Sequence, residues 1–429
     1  MPGEHLLIIC HTFPPLPGIG GRRWAKFAKA LAQRGHTVHV VHAEALAGQA
    51  GSPWTADVRH PAIHTYALPR RYPAVVHRWP MRGLADKIAY RIWMRLLPLV
   101  TKGNALDATV FWRDQVLRTA GRIIRAHGIR HVIVSGAPFR LLHHGLALKA
   151  AHPGVVLTSD LRDPWTWWDN YGHAHLPPRR FAQEQAMEKA VMLGSDHITS
   201  PHLPVLEHIR AHYPAAAHKC MHVPHAIDPD DLQAPPLPRE PGSYRLVYAG
   251  TMYGAQEAGD YFRALIEAFQ RLEALAPQQA ERTSFHLHIS ANDATGPMRM
   301  VREAGLERRI VFEPPCAPQE VFRRIASADA ALVFIPSKNK DLIGTKFQEY
   351  FHMRVPVIHV GEPGAVSRMI EENRLGRSMR VRELPAELPL IVTGARPLEI
   401  DRGYDTSHFL LPQVTARFAD AIGLGKDAL

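Results

Sequence analysis

Cysteine is scarce: 429 residues hold three, Cys10, Cys220 and Cys316, far apart and never in a C-x-x-C pair. This disfavours a disulfide scaffold and a cysteine zinc site, and it fits a reducing, cytoplasmic compartment. Long apolar runs are also missing, and none reaches the roughly 18 residues of a membrane-spanning helix. The first run, Leu6 to Cys10, is too short for a signal-peptide core and follows acidic Glu4, so no export signal is read. A tight Gly-x-Gly-x-x-Gly turn is lacking too. Gly18-x-Gly20 is followed by Arg23 at the third glycine's place, and the loop runs from His11 to Gly21, which disfavours a nicotinamide dinucleotide. No internal repeat or low-complexity tract is found. What is present is ordinary for a globular chain, 46% hydrophobic and 21% charged, and the length points to two or three domains. The net charge of +11 is concentrated: residues 70–130 carry thirteen Lys and Arg against three Asp, or +10. Such concentration points to a local anionic partner rather than a general affinity for nucleic acid.

The chain opens as strand, loop, helix, strand. Leu6–Cys10 is a continuous apolar run, as in a strand buried on both faces. Trp24, Phe27, Ala28 and Leu31 form a helical stripe that ends near Gly35, and Thr37–Ala43 is the second strand. Further strands are expected at 131–134, 155–158, 197–199 and 220–223. After a segment with six prolines between Pro224 and Gly242 the pattern restarts, with strands at 245–249, 285–289, 310–312, 331–335 and 356–360 and helices at 261–275 and 318–326. The expected fold class is α/β, two Rossmann-like parallel-sheet domains facing across a cleft. The expected bounds are 1–223, a linker at 224–243, 244–406, and a weakly helical 407–429 that can pack back on the first domain.

Three segments stand where chemistry is expected, beyond the carboxyl ends of strands. The loop His11–Gly21, with Gly18, Gly20 and Gly21, leads into a helix N-terminus. It reads as a diphosphate contact or as a flexible turn. Asp160-Leu161-Arg162-Asp163-Pro164-Trp165 follows an apolar strand. Arg162 pairs with either acid, or Asp160 or Asp163 serves the site; Trp165, Trp167 and Trp168 stack on a ligand or pack the domain edge. Asp341 to Tyr350 contains Gly344-Thr345, a helix start with Thr as a favoured N-cap, then Lys346 and Glu349. A phosphate and a ribose would suit these groups, and a surface pair worth about 0.2–0.5 kcal/mol would explain them equally. Asp228-Pro229-Asp230-Asp231 reads as turn chemistry rather than a metal site, and no structural metal is expected among the 27 histidines.

In order and spacing these pieces match one family. Ile8-Ile9, Phe13-Pro14-Pro15, Gly20-Gly21-Arg22-Arg23, Leu31-Ala32-Gln33-Arg34-Gly35-His36-Thr37-Val38, Ser135-Gly136-Ala137-Pro138-Phe139, Tyr248-Ala249-Gly250-Thr251, Gly344-Thr345-Lys346-Phe347-Gln348-Glu349-Tyr350 and Val355-Pro356-Val357-Ile358 span nearly the whole chain. The chain resembles the family 4 (group 1) glycosyltransferases of the GT-B fold, polysaccharide-assembly type. The resemblance implies retaining transfer of a sugar from a UDP- or GDP-sugar, with no cofactor and no required metal. It implies an acceptor-binding first domain and a donor-binding second one. Gly20, Gly21, Gly250, Thr251, Thr345 and Lys346 then lie near the donor diphosphate, and Glu349 at the ribose. Asp341 stands where the family often has a second Glu near the donor sugar. The basic pair usual after Gly250 is missing from Gly250 to Gly259, and Lys338 or Lys340 is the candidate replacement. His225-Ala226 replaces a usual Asn-Gly. The catalytic candidates are Asp163, which would position the acceptor hydroxyl, with Asp160, Arg162 and Asp341. In retaining members the donor phosphate is thought to help take the acceptor proton.

Leu84, Ile88, Ile92, Leu96 and Leu99 fall on one helical face beside Lys87, Arg91 and Arg95, with Trp79, Trp93 and Trp112 nearby. Such a face suits an anionic membrane surface, a polyprenyl-linked or glycan acceptor, and a cytoplasmic protein peripheral to the inner face of the plasma membrane. The alternative is a helix packed on the core with a solvated basic side. The alternatives are a nucleotide-sugar 2-epimerase and a degenerate, non-catalytic nucleotide-sugar binding module. No nucleic-acid recognition motif is found.

Overall fold

A computed structural model describes residues 3–46, 51–78, 81–168, 173–252, 255–289 and 294–425. The chain forms two compact units, Met1–Pro224 with Leu411–Leu429, and His225–Leu410.

The first unit contains β1 (His5–Ile9), α1 (Arg22–Gln33), β2 (Thr37–Ala43), β3 (Ile63–Leu68), α2 (Leu84–Val100), α3 (Arg113–His127), β4 (His131–Gly136), α4 (Arg140–Ala151), β5 (Val156–Leu161), α5 (Pro178–Gly194), β6 (His197–Ser200), α6 (Leu203–His212) and β7 (Cys220–His222). Among the described residues its strands pair in parallel in the order β3-β2-β1-β4-β5-β6-β7. Leu6, Leu7, Ile8 and Ile9 are wholly buried, because helices cover both faces of a parallel sheet. The order reverses between β1 and β4, so their carboxyl ends open the crevice where such sheets bind ligands.

The second unit contains β8 (Tyr244–Gly250), α7 (Ala255–Leu275), α8 (Pro277–Glu281), β9 (Thr283–Ile289), α9 (Thr295–Glu303), β10 (Ile310–Phe312), α10 (Pro318–Ala326), β11 (Ala330–Ile335), α11 (Thr345–His352), β12 (Val357–Gly361), α12 (Ala365–Glu372), β13 (Gly376–Met379) and α13 (Leu384–Val392). Its sheet is parallel with order β10-β9-β8-β11-β12-β13, and the reversal falls between β8 and β11. Residues 225–243 belong to this unit. Ile227 bridges to Leu410, and Asp228 accepts from the Asp230 amide at 3.1 Å to cap a single 3-10 turn, Pro229–Leu232.

The chain then returns to the first unit as α14 (Leu411–Ile422). Phe418 sets its edge against Trp24 and Phe27 of α1 at ring distances of 5.8 and 5.7 Å. The amide of Gly425 donates to Glu4 at 2.8 Å.

Two strands, β3 and β13, were not expected from the sequence. Both lie at sheet edges. In β3 only Ile63 and Leu68 are buried, and β13 reads Gly-Arg-Ser-Met, so neither carries the apolar run of a central strand. The helix expected at 261–275 starts earlier, at Ala255.

In α2 the apolar stripe faces outward. Leu84, Ile88, Ile92, Trp93, Leu96, Leu99 and Val100 are 37–79% exposed, beside exposed Lys87, Arg91 and Arg95. Leu97 alone among the helix residues is buried; it packs with Tyr72 and Ala105. Trp112 does not join this face, because it is buried in the main core of the unit, and Trp79 lies outside the described residues.

Candidate functional site

At the carboxyl end of the first sheet the glycine loop closes as a 3-10 turn, Ile19–Gly21, directly before α1. Both Gly20 and Gly21 are closely packed. A Cβ on Gly20 would lie 3.1 Å from Arg162 Nη1, and one on Gly21 would lie 3.3 Å from the backbone of Phe13. The start of α1 buries three cations of its own. Arg22 lies over the Trp54 ring at 4.8 Å, Lys26 pairs with Asp57 at 2.9 Å, and Arg23 pairs with Asp160 at 3.1 Å.

Asp160 has no exposed surface. Its carboxylate accepts from Arg23 Nε and Nη2, from Trp24 Nε1 at 3.0 Å, from Ser135 Oγ at 3.1 Å and from Thr199 Oγ1 at 2.8 Å. With these five donors the wholly buried Asp160, a catalytic candidate from the sequence, joins α1 to β4, β5 and β6. The sequence offers Arg162 as a partner of either acid or as a catalytic candidate. It donates to three carbonyls, those of Gly136, Gly20 (3.1 Å) and Ala137 (2.7 Å), and so ties the β4 and glycine loops together.

Asp163, half-buried, comes next. Beside it stands His202, just past β6, which sequence reasoning missed. His202 is buried and hydrogen-bonds to the Arg162 backbone. Burial presses its pKa down to about 4 although Asp163 pulls the other way. The signal was its place just beyond a strand's carboxyl end. His11, at the end of β1, is also held to about 4, by burial and by Arg70, His77 and Arg162.

The tryptophans separate. Trp165 is wholly buried, stacks on Phe139 at 5.1 Å and donates to Glu184 at 2.8 Å, so it belongs to the core. Trp167 stacks on His208 at 3.9 Å and meets the Trp168 edge.

In the second unit, β8 ends at Gly250, and Tyr248 Oη donates to the Thr251 carbonyl at 3.0 Å, fixing the turn. The N-terminus of α11 comes to the same place. A Cβ on Gly250 would lie 3.6 Å from Lys346 Nζ. The N-cap is Gly344 rather than Thr345, which is the first helical residue. Glu349, one turn in, is 1% exposed. His288, near the end of β9, is held to about 4 by burial, with Arg324 and Lys346 adding repulsion and Glu313 opposing it.

Asp341 pairs with Lys340 at 2.8 Å and reaches Arg368 at 3.8 Å. Lys340 is therefore committed to a carboxylate, and Lys338 is exposed on the 3-10 turn Ser337–Asn339. Next to this turn, at the carboxyl ends of β11 and β12, lies an open cavity of about 330 Å³ lined by Glu257, Asp260, Phe334, Ser337, Glu362 and Arg380 among others. Its volume is at the small end of ligand sites. Thr345, Lys346 and Glu349 do not line it, and no local motif announced it.

No protein-family model matches the chain, and no curated protein matches it in sequence. Solved structures do match across both units. HepE from Anabaena, crystallised with UDP-glucose, is 11% identical with a TM-score of 0.64 over 98% of this chain and 99% of that one. Sucrose-phosphate synthase from Thermosynechococcus elongatus is 13% identical with a TM-score of 0.61 over 98% and 94%. WaaG, a glycosyltransferase involved in lipopolysaccharide biosynthesis, is 14% identical with a TM-score of 0.60 over 98% and 100%. At these identities the likeness establishes the fold: two parallel α/β units of the GT-B type.

Proposed function

We propose that the chain is a retaining, metal-independent glycosyltransferase that moves a sugar from a nucleoside-diphosphate sugar to a glycan or lipid-linked acceptor. The observation that carries this reading is the meeting of Gly250 with the N-terminus of α11, where Lys346 Nζ stands beside the glycine and Glu349 lies one turn in. Departing diphosphate would be stabilised there by helix-end N–H groups, the helix dipole and the Lys346 charge; one well-placed donor of this kind contributes about 3–4 kcal/mol in other enzymes. Glu349 would receive the ribose hydroxyls, and the donor phosphate would accept the proton of the attacking hydroxyl. The UDP-glucose held by HepE on the same fold supports the donor class. In the first domain, Asp163 beside neutral His202 would position the acceptor.

The outward apolar face of α2, flanked by Lys87, Arg91 and Arg95, supports an acceptor reached at an anionic membrane surface. No helix among the described residues is long and apolar enough to cross a membrane.

The test is a thermal-shift panel of UDP, GDP, ADP and their sugar conjugates, with and without Mg²⁺. One nucleoside diphosphate should stabilise the wild type, by about 2.7 kcal/mol at 100 times its Kd, and should do so without Mg²⁺. Lys346→Ala and Glu349→Gln should lose most of that shift. Stabilisation unchanged in both variants would overturn the assignment of this site, and turnover of a nucleotide sugar without any acceptor would point to an epimerase.

A further inference from the structure

The amino ends of β1, β2 and β3, remote in the sheet from the carboxyl ends discussed above, carry a row of histidines. Register pairs Leu7 with His39 and His39 with His64, so His5, His39 and His64 step across three adjacent strands. His127, the last residue of α3, lies over the row. Its ring centroid is 5.1 Å from that of His5, nearly parallel to it, and 4.4 Å from that of His39. His5 Nδ1 and His39 Nε2 are 3.0 Å apart, and one nitrogen from each of His5, His39 and His127 lies within 4.8 Å of the others.

We propose that His5, His39 and His127 form a binding site for one divalent transition-metal ion, of which Zn²⁺ is the best match to three imidazole nitrogens. At Zn–N distances of about 2.0–2.1 Å, two nitrogens on a tetrahedral ion are separated by about 3.3–3.4 Å. The His5–His39 separation is within a few tenths of an ångström of that, and His127 closes with a small ring movement. Tyr66 Oη lies 3.1 Å from His39 Nδ1 and supplies the outer hydrogen bond that metal-bound imidazoles usually make, which orients the ring and leaves Nε2 facing the ion. His127 is exposed, so the cluster is accessible from solvent on that side. Such an ion would clamp α3 onto β1 and β2. These ligands come from three separate elements, so no local spacing in the sequence announces them.

The test uses the full, tag-free chain stripped with EDTA and titrated with ZnCl₂ against a chromophoric chelator. One Zn²⁺ should bind per chain. His127→Ala, at an exposed helix end where folding is not at stake, should weaken binding at least tenfold, and so should His5→Ala. His212→Ala, in the separate His208–His212 stack, should leave it unchanged. Zn²⁺ should also raise the Tm of the wild type and not that of His127→Ala. Absence of saturable binding, or equal affinity in wild type and His127→Ala, would overturn the proposal and leave the row as stacked rings.

Discussion

Asp160 and Asp163 are three residues apart and have different surroundings. Asp160 satisfies a buried guanidinium, an indole and two hydroxyls; removing its charge leaves Arg23 buried without its counter-ion. Breaking a buried pair from one side costs about 3–5 kcal/mol, so Asp160→Asn should lower the urea midpoint by a corresponding amount. Asp163→Asn should instead lower the transfer rate, and an unchanged rate would remove it from the acceptor site. The sequence placed both acids at a strand's carboxyl end, and that much was legible. Their different surroundings were not, because Arg23, which pairs with Asp160, lies 137 positions away and is brought in by the fold. The same holds for Gly20, whose neighbour Arg162 is 142 positions away. The place of Lys346 and Glu349 in the first turn of a helix was legible because a helix start is local.

The helix α2 shows the limit at the scale of the element. Its period of apolar residues was readable, but period alone does not say which way a stripe faces. The structure turns the stripe outward and holds the helix by the residue between its members. Leu97→Ala should therefore cost about 2–5 kcal/mol, whereas Leu99→Ala, at a side chain 79% exposed, should change stability by no more than about 0.5 kcal/mol. Replacing Ile88, Ile92 and Leu96 together by Gln should leave the unfolding midpoint in place and abolish co-sedimentation with anionic vesicles at low salt. Retained co-sedimentation would separate the face from membrane binding. Central strands were legible for the converse reason: burial on both faces demands a run of Leu, Ile and Val, and the edge strands β3 and β13 escape that demand.

Across the whole molecule, histidine governs the response to acid. His11, His144, His202, His208, His288 and His359 are each held to about 4, with burial as the first cause. The unfolded chain titrates them near 6.5. Between those values the unfolded state binds more protons than the folded one. Their contribution is thus fully present above about pH 6.5 and is lost as pH falls toward 4. The Tm should drop steeply from pH 6.5 to pH 4.5, with several protons taken up on unfolding at pH 5.5; a flat Tm over that range would contradict the burial of these rings. The return of α14 to α1 has a consequence in time. The residues of α14, which pack on α1 of the first unit, are made after those of the whole second unit. At about 5–20 residues per second, synthesis of 225–410 takes roughly 10–40 s, during which Trp24 and Phe27 lack the partner that Phe418 provides. The packing of α1 in the first unit is therefore completed only after the chain of the second unit has been made.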